Sequence, residues 1–195
     1  MIKSHEMVME ELRDYSSPKA RLTRLLKSGK LVQIRRGLFV DDLALPPKTL
    51  APILYGPSYI SFQSALAESG LIPERVTVIS SASYNKNKDK TFNTPMGTYR
   101  YLYLPVAVYP YGIRQVEEQG IYYLIASPEK ALCDAVYKIA GIVTPGEIEQ
   151  LLLEDWRMER EELARLDTGF IQWIAPRYRR KSLTALAGWF TKEFT

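Results

Sequence analysis

Helix start and stop signals alternate with strand-like stretches along most of this 195-residue chain. Ser61 precedes a predicted helix over residues 62–69 that stops at Gly70, and Ser127-Pro128-Glu129 begins another. Residues 76–83, 97–108 and 120–126 alternate or cluster in the manner of β-strands. The pattern predicts an α+β protein.

The first 45 residues predict a small unit of helices followed by a hairpin. Residues 6–15 fit a short helix, and Ser16-Ser17-Pro18 starts a second one that Gly29 ends. Its inward side is expected to carry Ala20, Leu22, Leu25 and Leu26. Two short strands, 31–34 and 38–40, then flank Arg36-Gly37, where a tight turn favours a positive φ. This order is the outline of a recognition helix and its wing.

The division into domains follows from these signals. We expect a winged-helix-like domain over residues 1–45 and a mixed α/β domain over residues 46–195. The proline-rich stretch 43–52 is interpreted as the linker between them. A helix-turn-helix normally uses three helices, whereas only two precede this wing. Either the basic closing helix predicted over residues 181–194 supplies the missing support, or the unit is degenerate.

Charge is unevenly distributed, although the formal net charge is only +4. The candidate DNA-binding residues lie between residues 16 and 40, a stretch without Asp or Glu: Lys19, Arg21, Arg24, Lys27, Lys30, Arg35 and Arg36. Lys and Arg side chains gain from neutralising the phosphates of a duplex and releasing counterions. Donors on the helix would face the major groove, and those of the wing the flanking backbone. The alternative is an ordinary solvated basic surface.

Other patterns have structural explanations that we favour. Acids between residues 147 and 167 recur at helical spacing, which predicts one amphipathic helix over 146–166 with a solvated face. Cys133 is expected in the core. Lys86, Lys88 and Lys90 are interpreted as guarding a strand edge or hairpin tip, and the tyrosines of the 97–111 stretch as core residues.

Signatures of catalysis are missing from the sequence. The chain has one histidine, His5, near its start, and contains no phosphate-binding glycine loop and no cysteine pair for a metal. We therefore expect no enzyme activity, no cofactor and no metal site. No apolar run of about 18 residues occurs, and the first residues mix charged and apolar groups. A cytoplasmic location without membrane association is the expectation.

Four segments in order resemble the AbiEi family, the antitoxins of bacterial type IV toxin–antitoxin systems. They are KLVQIRRGLFV, YISFQSALAESGLIPE, TPMGTYRYLYL and IASPEKALCDAVY. The resemblance implies a winged helix that binds the promoter of its own operon and a C-terminal domain that neutralises a nucleotidyltransferase-like toxin. The residues corresponding to the family's helix start, Ser127 to Lys130, are assigned a structural role here. The N-terminus is shorter than the family pattern.

Three hypotheses follow. The first is an antitoxin and transcriptional autoregulator with double-stranded DNA and the cognate toxin as partners. The second is a protein-interaction module without DNA binding. The third, a nucleic-acid-processing enzyme, would require clustered carboxylates or a metal in the folded protein.

Overall fold

A computed structural model describes residues 1–194 as a mixed α/β protein with one small and one larger β-sheet. The strands are β1 (Ile2–Ser4), β2 (Val32–Arg35), β3 (Leu38–Val40), β4 (Ser58–Ile60), β5 (Val78–Ser83), β6 (Lys90–Thr94), β7 (Gly97–Tyr103), β8 (Ile113–Glu118) and β9 (Ile121–Ala126). The helices are α1 (His5–Glu11), α2 (Pro18–Lys27), α3 (Pro47–Leu54), α4 (Phe62–Glu68), α5 (Pro128–Lys138), α6 (Pro145–Glu149), α7 (Arg160–Leu163), α8 (Thr168–Ile174) and α9 (Lys181–Phe194).

The small sheet has the order β1-β3-β2 and is antiparallel throughout. The predicted hairpin is confirmed, since Gly37 turns the chain between β2 and β3 with a φ of 80°. Gly29, with a φ of 69°, follows the end of α2 as expected. Ala20 is an exception: it is exposed rather than inward, because 100° per residue places it between Lys27 and Arg24 on the helix.

The small sheet is covered on both faces. Leu31 and Phe39 join Val8 and Leu12 of the α1 region in a small core, against which α2 packs three half-buried leucines. The opposite side chains, Ile34, Leu38 and Val40, belong to the main core. The closing helix α9 packs against α5, α6 and α8 in that main core, so it does not complete the N-terminal unit.

The larger sheet has the order β6-β7-β5-β4-β9-β8. β5 and β7 are parallel, as are β4 and β9, and the other neighbours are antiparallel. Tyr99 and Tyr101 of β7 donate hydrogen bonds to carbonyl oxygens of α3, Pro47 at 2.9 Å and Ala51 at 2.6 Å. Because side chains alternate along a strand, Leu102 faces the other side, where α4 and α5 pack.

The predicted linker over residues 43–52 is wrong in its second half. α3 begins at Pro47 and includes Pro52, and its Leu50 and Leu54 side chains are fully buried. Proline at the first helical position forfeits no internal hydrogen bond. Burial of the leucines against the sheet outweighs the single bond lost at Pro52. The predicted domain boundary at residues 45/46 falls between β3 and α3.

Two further predicted elements differ in length. The prediction of a single acidic helix over 146–166 is wrong. α6 continues as a π-helical segment, Gln150–Asp155, and the positive φ of Arg157, 49°, ends the helical path before α7. This bend lets Leu152 and Leu163 both reach the core. The strand predicted over 97–108 ends at Tyr103, because Pro105 opens a 3₁₀ turn, Val106–Val108. The closing helix over 181–194 is confirmed.

Candidate nucleic-acid interface

The exposed face of α2 carries the predicted helix cations. Lys19, Arg24 and Lys27 are exposed, whereas Leu22, Leu25 and Leu26 are half-buried against the small core. The amphipathic period of the sequence dictates this split, because α2 packs on one side only. Arg21 lies at the border, as expected, with its guanidinium carbon 4.9 Å from the centre of the Tyr15 ring.

The structure brings three of the predicted cations to one place. Arg21, Arg24 and Lys30 line a shallow depression of about 220 Å³ together with Leu25 and Ser28. The Nε atom of Arg21 is buried and has no hydrogen-bond partner within residues 1–194. Guanidinium and ammonium groups that converge on one depression can donate hydrogen bonds to a single phosphate group from several directions.

Arg35 and Arg36 lie apart from this depression, at the end of the β2–β3 hairpin. Both side chains are exposed. Arg35 also lies close enough to Tyr101 of the main sheet to oppose, by its charge, the rise in pKa that burial imposes on that phenol. The β2–β3 hairpin is therefore next to the larger sheet, a proximity that the sequence pattern does not indicate.

Acids do not neutralise the predicted cations. Within the part of the chain that the structure describes, none of the seven forms an ion pair, whereas nearby carboxylates pair with other groups. Asp41, for example, accepts from the N-terminal ammonium group, which lowers the pKa of this carboxyl, and pairs also with Lys3 at 3.4 Å. The positive field of the seven is thus left uncompensated locally.

A buried polar cluster was not anticipated from the sequence. Lys130 and Asp134, one turn apart on α5, form an ion pair with no exposed surface. Ser61 donates to Asp134 over 2.7 Å instead of capping α4, and Tyr59 donates over 3.0 Å. Tyr178 accepts from Lys130 at 2.7 Å and donates to Asp134. The sequence feature that could have indicated this ion pair is the i,i+4 spacing of Lys130 and Asp134 on a predicted helix.

The contacts of this cluster are those of a structural element. Every charge in the cluster has a partner, and the side chains of Lys130 and Asp134 are fully buried. The predicted cap is confirmed, since the Ser127 hydroxyl accepts from the Lys130 amide. Cys133 beside it is completely buried, which raises the pKa of its thiol and confirms its placement in the core.

The other predictions concern the tyrosines of residues 97–111, the lysines near β6, metal ligands and membrane association. Tyr99 and Tyr101 are buried core residues, as expected, whereas Tyr103 and Tyr111 are exposed, so the prediction of core tyrosines is wrong for these two. Lys90 lies on β6, an edge strand, and Lys86 and Lys88 precede it, which agrees with the expected guarded edge. Within residues 1–194 no three His, Cys, Asp or Glu side chains converge as metal ligands would, and no helix is long and apolar enough to cross a bilayer.

Comparison with known proteins bears on the fold of the chain alone. No protein-family model matches the chain, and no curated protein matches its sequence. The solved structure of the Rv2827c protein from Mycobacterium tuberculosis matches 100% of this chain and 75% of its own, at 14% identity and a TM-score of 0.50. At that identity the match indicates a shared mixed α/β fold alone.

Proposed function

We propose that this protein is the antitoxin of a type IV toxin–antitoxin system and binds the promoter of its own operon. In this proposal the segment β1-α1-α2-β2-β3 is a reduced winged helix with two helices. α2 is the recognition helix, and the β2–β3 hairpin is the wing.

One observation carries the DNA-binding half. The seven cations between residues 16 and 40 lie in an acid-free stretch, six are exposed, and none forms an ion pair within residues 1–194. A structural role in ion pairing would give them carboxylate partners. Unpaired cations on one helix face and its adjoining hairpin match instead what a phosphate backbone requires.

The toxin-neutralising half rests on the resemblance of four ordered segments to the AbiEi family. Three of these segments lie in or around the larger sheet: β4 with α4, the β6–β7 hairpin, and β9 with α5. The proposed partner is a nucleotidyltransferase-like toxin. Toxin neutralisation would thus belong to the part of the chain that follows α3, separate from the proposed DNA surface.

The test is a charge reversal on the proposed DNA surface. Arg24→Glu with Arg36→Glu lowers the net charge by four, and both side chains are exposed, so the fold should persist. We expect this variant to lose binding to the duplex upstream of its own reading frame. The wild-type affinity should fall with salt at a log–log slope of about −4.5, which corresponds to roughly five phosphate contacts. Electrophoretic mobility shift and fluorescence anisotropy measure both.

A matched control variant lowers the net charge by the same amount through substitutions outside the proposed DNA surface. Arg114→Glu with Lys181→Glu alters exposed cations on β8 and at the start of α9, and it should leave promoter binding intact. Both variants should still rescue growth when co-expressed with the proposed nucleotidyltransferase-like toxin. Unchanged promoter binding by the Arg24/Arg36 variant would contradict DNA binding through α2. Rescue by a chain that never shifts the promoter would favour the protein-interaction module.

A further inference from the structure

A second pocket lies on the α4/α5 face of the larger sheet, remote in sequence from the predicted DNA surface. It is a cavity of about 260 Å³. Its apolar wall consists of Phe62, Leu102, Ala135 and Ile139. Its polar groups are Gln63, Asp89, Arg100 and Lys138. An apolar wall with a few converging polar groups is the usual composition of a small-molecule site.

Positive charge exceeds negative charge around this pocket. Lys138 pairs with Asp89, its Nζ 3.1 Å from Oδ1, and lies 3.7 Å above the centre of the Tyr103 ring. Asp89 also accepts from the Tyr103 amide at 3.0 Å. Arg180 reaches the pocket wall, where its guanidinium donates to the carbonyl oxygen of Ile139 over 3.1 Å.

Arg100 and Arg180 have no carboxylate partner within residues 1–194. Three cations and one carboxylate therefore leave a surplus of two positive charges. Burial lowers the pKa of Lys138, and the charges of Arg100 and Arg180 lower it further, whereas Asp89 opposes this. Both arginines are thus close enough to Lys138 to repel its charge, and an anion bound beside Lys138 would relieve that repulsion.

We propose that this pocket binds a small organic phosphate, a phosphate monoester on a compact apolar or aromatic body. A phosphate monoester carries about 1.5 to 2 negative charges at neutral pH, which matches the surplus. Arg100 and Lys138 supply charge-assisted donors to its oxygens, and Arg180 adds positive charge at the rim. The side chains of Phe62 and Leu102 contact the organic body, and Asp89 holds the Lys138 ammonium group in position.

The experiment is isothermal titration calorimetry of the full chain with phenyl phosphate as the probe. Inorganic phosphate and benzoate are titrated in parallel. The pocket predicts one site for phenyl phosphate and weaker binding of both other anions, because the first lacks the apolar body and the second the dianionic charge. Failure to detect phenyl phosphate binding, or benzoate binding at equal strength, would overturn the proposal.

Substitutions locate the binding site. Arg100→Gln removes an exposed cation that has no carboxylate partner within residues 1–194, so the fold should be retained, and Lys138→Gln removes the lining cation that pairs with Asp89. Each should weaken phenyl phosphate binding by about tenfold or more. Arg114→Gln and Lys181→Gln are matched controls outside both the pocket and the proposed DNA surface, and they should bind as the wild type does. Unchanged affinity in Arg100→Gln, checked as folded by circular dichroism, would refute the assignment even if Lys138→Gln is unstable.

Discussion

At the scale of single residues, Lys130 and Asp134 show how one ion pair joins three parts of the chain. Both are buried without any exposed surface. Tyr59 and Ser61 bring hydroxyl groups from the β4 end, and Tyr178 brings one from the turn before α9. A buried carboxylate is tolerated only when its lone pairs are satisfied in this way.

Removing one member of this pair should strongly destabilise the protein. Lys130→Met leaves Asp134 as an uncompensated buried charge, at an expected cost of about 3–5 kcal/mol in the free energy of unfolding. Lys130→Met with Asp134→Asn should be less destabilised than the sum of the single changes, because the amide can still accept from Ser61 and Tyr59. Urea denaturation followed by circular dichroism measures these values.

A control for this series is Glu162→Gln, which removes the exposed pair with Arg165. Exposed pairs contribute little, so its unfolding midpoint should not move measurably. Equal midpoints for Lys130→Met and the wild type would contradict the structural role of the buried cluster.

At the scale of elements, α3 is where local pattern and tertiary packing disagree. Pro46 before the helix and Pro47 and Pro52 within it suggest a linker, yet the helix contributes Leu50 and Leu54 to the main core. The carbonyl oxygens of Pro47 and Ala51 accept hydrogen bonds from tyrosines of β7. Helices this short owe their stability to packing rather than to propensity.

Two neighbouring positions on α3 test this interpretation. Leu50→Ala should lower the free energy of unfolding by about 2–5 kcal/mol, because the residue is completely buried and its loss opens a cavity. Ile53→Ala changes a side chain that is 45% exposed and should have an effect within about 0.5 kcal/mol. A flexible linker would give the same small effect at both positions in a urea titration.

At the scale of the whole molecule, tyrosine side chains buried in the fold make the stability of the protein depend on pH. Burial raises the pKa of Tyr109 and of Tyr123 to about 12 each. Tyr59 and Tyr178 are raised well above their usual value, by burial first and by Asp134 next. In the unfolded chain all four would lose their protons near pH 10.

Stability should therefore fall at alkaline pH. The folded protein retains phenol protons that the unfolded chain releases, so this contribution is complete below about pH 10 and is lost as the pH rises toward 12. Urea midpoints measured between pH 9 and 11.5 should decrease steadily, and Tyr123→Phe should make the decrease shallower. Constant or rising midpoints over that interval would contradict the burial of these phenols.

Much of the local structure was determined by the sequence alone. α2 with its proline start and glycine end, the Gly37 hairpin, the Ser127 cap of α5 and the bounds of α9 were all predicted. These features depend on residues within a few positions of one another, through caps, turn residues and apolar period. For the same reason the acid-free basic stretch between residues 16 and 40 is visible before any fold is known.

Only the tertiary structure decided the strand order, the parallel pairings and the role of α3. It also joined Lys130 and Asp134 to Tyr59, Ser61 and Tyr178, and it gathered Arg100, Lys138 and Arg180 around one pocket. These contacts connect residues far apart in the chain. Their free energy arises from burial and charge in the folded interior, which short-range sequence patterns do not encode.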